Sequence, residues 1–236
     1  MAIAILAALP AVGRAGQIID GGFETPPATS GGFTQYFTGQ TIGGASGWTV
    51  LGKDVLVIDR GYSEPSGSSS TLSFNPNSGN NALDITGAGN TSPSDGITQT
   101  VATTIGQSYD LSFFVGRALG DPNDSRYLGT ATVVLTIGDG PTTSYTATDG
   151  VRGQITFTRF VTSFVATGAT TAITFTNGTL PPGTDANGDP VGSNYAGLDD
   201  VELVATPEPS TLTSAGIALA LTLGCGAYRR RRARAA

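Results

Sequence analysis

Apolar and polar residues alternate along the chain in short runs. In Tyr109-Asp110-Leu111-Ser112-Phe113 the odd positions are apolar and the even ones polar, and Ile173-Thr174-Phe175-Thr176 repeats the pattern. A period of two buries one face of an extended segment and wets the other. Similar runs rich in Val, Ile, Phe and Thr predict strands over residues 55–58, 82–85, 97–102, 109–115, 132–137, 155–165, 172–176 and 198–204. Gly, Pro, Asn and Asp separate them at short intervals, as turns require. No long helical period precedes residue 211. Eight or so short strands predict an all-β fold, a two-sheet sandwich of jelly-roll type.

The two ends read differently. Residues 3–12 are an apolar run closed by Gly13-Arg14-Ala15, with small residues where a signal peptidase would cut. No basic residue precedes Arg14, so the expected signal peptide, 1–16, is read as one whose start lies upstream. At the other end, Pro207-Glu208-Pro209 is followed by an apolar stretch over 211–228. Eighteen helical residues reach ~27 Å, against a hydrocarbon core of ~30 Å. Arg229, Arg230, Arg231 and Arg232 follow, with Arg234 beyond. Arginines beyond a span hold that end in the cytoplasm, so the preceding domain, 17–205, is expected outside. The sorting tail is then 206–236.

Charge narrows the function classes. The formal net charge is −6, but half of the twelve basic residues lie in the ends. Residues 17–208 carry six basic and eighteen acidic residues, a net of −12. Such a domain repels nucleic acid and suits divalent cations. There is no His, which removes Ser-His-Asp and Cys-His catalysis and nearly all zinc sites. The one cysteine, Cys225, lies in the tail, so no intramolecular disulfide forms.

The tail resembles the PEP-CTERM sorting signal of Gram-negative bacteria. That resemblance implies recognition and removal by exosortase, a membrane protease, and a destination at the cell surface or in the extracellular matrix beside exopolysaccharide. The domain carries a second set of motifs: Asp20-Gly21-Gly22-Phe23-Glu24, Gly47-Trp48, 97–101, 106–113, and Gly197-Leu198-Asp199-Asp200-Val201-Glu202-Leu203. In this order they resemble the galactose-binding-like β-sandwich group, near the DUF642-like and choice-of-anchor C domains. The resemblance implies a structural calcium ion held by Glu24 with Asp199 or Asp200, stapling the first strand region to the last. Strand alternation would put Asp199 on the side of Val201 and Leu203, where a buried carboxylate needs a partner or a metal.

Other candidate chemistry is sparse. Asp185-Ala186-Asn187-Gly188-Asp189 opens like an EF-hand loop, but Pro190 and Ala196 replace the turn glycine and the bidentate glutamate. Trp48 reads as core, whereas Tyr62 and Tyr127, in polar loops, are candidates to stack on a sugar. Asp199 and Asp200 are adjacent and cannot flank one glycosidic bond. The expectation is therefore a non-catalytic surface or matrix protein with a carbohydrate-binding sandwich. A purely structural matrix role and ice binding are the alternatives.

Overall fold

The computed structural model describes residues 17–66, 70–88, 93–123, 126–179 and 194–206. The signal peptide, the Asp185–Asp189 loop and the tail with Pro207, Glu208, Pro209 and Arg229–Arg232 lie outside the described residues. Among the described residues no helix is long and apolar enough to cross a membrane.

Each of the eight strand patterns gives a strand, and six more join them. In chain order they are β1 (Phe33–Phe37), β2 (Thr41–Ile42), β3 (Trp48–Leu51), β4 (Asp54–Asp59), β5 (Ser63–Ser66), β6 (Ser70–Ser73), β7 (Asn81–Asp84), β8 (Gly96–Ala102), β9 (Ser108–Leu119), β10 (Ala131–Ile137), β11 (Thr143–Ala147), β12 (Gln154–Val165), β13 (Thr170–Asn177) and β14 (Ala196–Ala205). They form an eight-stranded sheet, β1-β4-β7-β14-β9-β12-β6-β5, and a six-stranded sheet, β11-β10-β13-β8-β3-β2. Pairing is antiparallel except where β6 meets β12. The fold is all-β, as the alternation predicts.

Alternation distributes side chains between two apolar clusters. Val55 and Val57 of β4 join Leu111, Phe113 and Val115 of β9, Ile173 and Phe175 of β13, and Trp48 in the core. The intervening Leu56 and Ile58 join Leu72, Phe74, Ala118, Tyr127, Ile155 and Tyr195 in a second cluster, on the other face of the eight-stranded sheet. Loops and the short strands β5 and β6 make that face wetter and more irregular, and it is where a pocket forms.

The first segment is fastened to both sheets. Gln99 of β8 accepts from the Ile19 amide at 2.8 Å and donates to the Ile19 carbonyl at 2.9 Å, so its side-chain amide serves as a short stretch of strand. The Val201 amide donates to the Gly21 carbonyl at 2.9 Å. A Cβ on Gly21 would stand 2.0 Å from the Val201 carbonyl oxygen, so no other residue fits at that approach. Asp20 accepts from the amides of Glu24 and Thr25, closing the turn. The buried Trp48 indole donates to the Asp20 carbonyl at 3.1 Å, which fixes Trp48 as core.

Strict alternation fails in β14. Its pairing with β9 shifts register between Asp199 and Glu202. Asp200 there has a left-handed φ of 48°. The bulge adds a residue, so Leu198, Val201 and Leu203 all enter the core. Asp199 does not share their face, contrary to the period-two expectation, although it is fully buried.

Candidate functional site

A pocket of about 270 Å³ opens beside the second cluster, lined among others by Phe33, Tyr62, Glu64, Phe74, Asp84 and Tyr127. Period two puts Asp84 there. Leu83 faces the core, so the next residue faces away, opposite Leu56 on β4 and Gly197 on β14. Gly197 leaves room on that face, since a Cβ there would meet the Tyr195 hydroxyl at 2.6 Å.

Asp84 is only 6% exposed. Its Oδ1 accepts from the Thr86 amide at 2.9 Å and the Thr86 hydroxyl at 2.6 Å. Burial outweighs these bonds and pushes its pKa up to about 7, with the charge of Glu64 adding to the rise. Near neutral pH the group is therefore divided between acid and carboxylate, which is where a proton donor and acceptor works best.

Aromatic rings wall the pocket. Phe74 lies 5.2 Å from Tyr62, 5.8 Å from Tyr127 and 5.3 Å from Tyr195, centre to centre, and Phe33 meets Tyr62 edge-on at 5.6 Å. Tyr62 and Tyr127 donate to opposite oxygens of Glu64, at 2.6 and 2.8 Å. Burial, with Glu64 beside them, pushes both phenols well above their ordinary range, so both stay protonated. Tyr127 is nearly buried and holds a left-handed φ of 56°. The two tyrosines expected in separate polar loops thus meet in one pocket.

The carboxylates of the implied calcium site meet elsewhere, around residues 77–81. Asp199 Oδ2 accepts from the Asn77 amide at 2.8 Å, and its Oδ1 from the Asp200 amide at 2.7 Å. Asp200 accepts from the Asn77 side-chain amide and the Ser78 hydroxyl, each at 2.7 Å. Glu24 accepts from the Asn80 amide at 2.7 Å and from Asn81 at 3.1 Å. A Cβ on Gly22 would lie within 4 Å of all three acidic side chains. Burial, and next the charge of Asp200, pushes Asp199 up to about 7. Among the described residues, no three metal-ligating side chains close on one point.

A larger cleft of about 870 Å³ opens beside β10, β11, β12 and β13. Threonines and apolar side chains make up most of its lining, and among the described residues Asp139 is its only carboxylate. It offers little acid–base chemistry, so the smaller pocket is the candidate site. Sequence reasoning missed Asp84, Glu64 and Phe74. A signal for Asp84 was present, because a carboxylate interrupts the apolar run Ala82-Leu83-Asp84-Ile85. Glu64 and Phe74 sit in Ser- and Pro-rich stretches with no such mark.

Comparison with known proteins bears on catalysis. A family model named HpiC1-like and described as HpiC1 cyclase matches residues 14–198. That match overturns the non-catalytic expectation, which rested on the absence of His and of a nucleophile motif and on the geometry of the Asp199–Asp200 pair, and did not reach residues brought together from β5 and β7. No curated protein matches the chain. Among solved structures, the CBM22-1 xylan-binding domain from Paenibacillus barcinonensis is 17% identical with a TM-score of 0.39, covering 77% of this chain and 99% of that one. A GH26-CBM35 β-(1,4)-mannanase from Podospora anserina is 13% identical with a TM-score of 0.38, covering 75% of this chain; this chain spans 29% of the mannanase.

Proposed function

The chain belongs to the HpiC1-like family, and we propose that it is an exported enzyme of cyclase type in which Asp84 moves a proton onto and off a small unsaturated substrate. The supporting observation is the pairing of a buried carboxyl of pKa about 7 with a pocket walled by Phe33, Tyr62, Phe74 and Tyr127. The protonated Asp84 gives its proton to a π-bond of the substrate and is left as the carboxylate. A second π-bond of the same molecule attacks the resulting cation, and the ring closes through one new carbon–carbon bond. Loss of a proton from the cyclised cation back to Asp84 restores the acid. The reaction is an isomerisation and consumes no co-reactant. Aromatic faces carry negative potential and stabilise the cation, while the apolar walls keep water from capturing it. Asp84→Asn keeps the shape and removes the proton. Screening small apolar substrates with two or more π-bonds should find a product of unchanged mass formed by the parent protein and not by this variant. Equal turnover by both would reject the assignment.

A second reading, glycan binding in the same pocket, is supported by the meeting of Tyr62 and Tyr127 beside Glu64 and Asn194. Rings with adjacent polar groups are what sugar faces and hydroxyls use. Saturable binding of the host's exopolysaccharide, lost in Tyr62→Ala, would support it.

The proposed destination follows from the tail. Exosortase would remove 206–236 at the inner membrane and release the domain to the cell surface or matrix of a Gram-negative bacterium. We also propose a structural calcium ion at Glu24, Asp199 and Asp200. The donors there are all oxygen, which suits a hard cation, and a divalent charge would offset the repulsion between the two aspartates.

A further inference from the structure

We propose that the pocket around Phe74 selects ligands carrying a tertiary or quaternary ammonium group, which makes an amine-bearing molecule its substrate class. This rests on the reading of that pocket as the working site. The rings are set as walls and not as a stack: Phe33 stands at 82° to Tyr62, Tyr62 at 48° to Phe74, and Phe74 at 77° to Tyr127. These pairs pack edge-to-face or tilted, and the four rings together line one small space, where a poorly hydrated cation would lie beside several π-systems.

Two further observations point the same way. Both tyrosine hydroxyls are turned onto Glu64, so the hydrogen-bonding ends of these side chains are already engaged and their rings are left as the binding surface. The pocket also contains two carboxyl groups, Glu64 and Asp84. Secondly, a cation of the protein itself already uses this wall. The Arg126 guanidinium lies 5.9 Å from the Tyr127 ring centre, and its Nη1 is 3.6 Å from Glu64. Arg126 also donates to the Pro65 carbonyl. An ammonium ligand would meet the same ring and the same carboxylate from the pocket side, in competition with this side chain.

The test compares two molecules of nearly equal shape, choline and 3,3-dimethylbutanol, which differ in the positive charge. Calorimetry on the folded protein should show choline binding at least about tenfold more tightly, the scale expected when a desolvated cation–π contact is gained. Phe74→Leu and Glu64→Gln should each reduce choline binding by about tenfold and reduce binding of the alcohol by much less. Arg126→Gln should strengthen choline binding by removing the competitor. Far-ultraviolet circular dichroism checks that each variant is folded, and Arg126→Gln, outside the apolar cluster, keeps the test decisive if Phe74→Leu unfolds. Equal binding of the two molecules, or binding of neither, overturns the proposal. Either result leaves the role of Asp84 standing, because that depends on turnover by Asp84→Asn; turnover equal to the parent's would conversely reject the acid and leave the charge preference intact.

Discussion

Tyr62 and Tyr127, from separate loops, are joined through the two oxygens of Glu64, at 2.6 and 2.8 Å. The carboxylate bridges the turn after β4 to the loop between β9 and β10, so the pocket wall is held by polar bonds as well as by ring packing. Removing one hydroxyl leaves a charged oxygen with one donor fewer in a partly desolvated place. Tyr127→Phe should cost about 1–3 kcal/mol of unfolding free energy, read from urea denaturation, whereas Phe37→Tyr on the exposed edge strand β1 should change little. A Tyr127→Phe variant as stable as the parent would show that the bridge carries no weight.

Proton linkage gives a second prediction. Asp84 has a folded pKa near 7, against an ordinary value of 3.8. Folding therefore favours its protonated form. The stabilisation is complete below about pH 4 and is lost as pH rises towards 7, at no more than about 4 kcal/mol. Denaturation midpoints should fall over that interval, and Asp84→Asn should flatten the fall. If Asp84 is the proposed acid, turnover should drop about tenfold for each pH unit above about 7.

Gly21 tests the fastening of the first segment. A Cβ 2.0 Å from the Val201 carbonyl cannot be accommodated without moving β14 or residues 20–25. Gly21→Ala should cost at least about 2 kcal/mol, whereas Gly31→Ala, where nothing stands within 4 Å but φ is +64°, should cost only the ordinary backbone penalty of about 1 kcal/mol. Thermal melts of the two variants give the comparison, and equal losses would contradict it.

Calcium and processing give the last two measurements. Millimolar calcium should raise the melting temperature more than magnesium does, and Glu24→Gln or Asp199→Asn should abolish the rise. A melting temperature indifferent to calcium and to chelator would remove the ion from the account.

Mass spectrometry of the protein recovered from its host should show a C-terminus near residues 207–210. Recovery of the intact chain in the membrane fraction would contradict removal of the tail.

The strands that the sequence did not mark share a position. All four sheet edges, β1, β5, β2 and β11, are among the six missed, and β3 and β6 lie next to edges. An edge strand packs on fewer neighbours and tolerates Ser, Thr, Gly and Pro, so the alternation fades; Ser63-Glu64-Pro65-Ser66 shows none. Central strands, by contrast, carry the pattern because both their flanks are covered. The pocket was hard to read for the same reason. Glu64 comes from an edge strand, and Tyr127 and Phe74 from loops, while Asp84 alone stands in a strand with a visible pattern. The bulge at Asp199 and Asp200 was hidden for another reason, since one inserted residue changes faces without changing composition.

The placement of β14 also sets an order of events. It is the last strand along the chain, yet it lies inside the eight-stranded sheet between β7 and β9. Until it arrives, that sheet is two separate pieces, β1-β4-β7 and β9-β12-β6-β5, each with an open seam. If the chain is exported from its N-terminus, as proposed, the sheet can close only after residue 205 has emerged, just ahead of Pro207-Glu208-Pro209. Completion of the domain and presentation of that motif would then coincide, and a protease acting there would meet a finished sandwich.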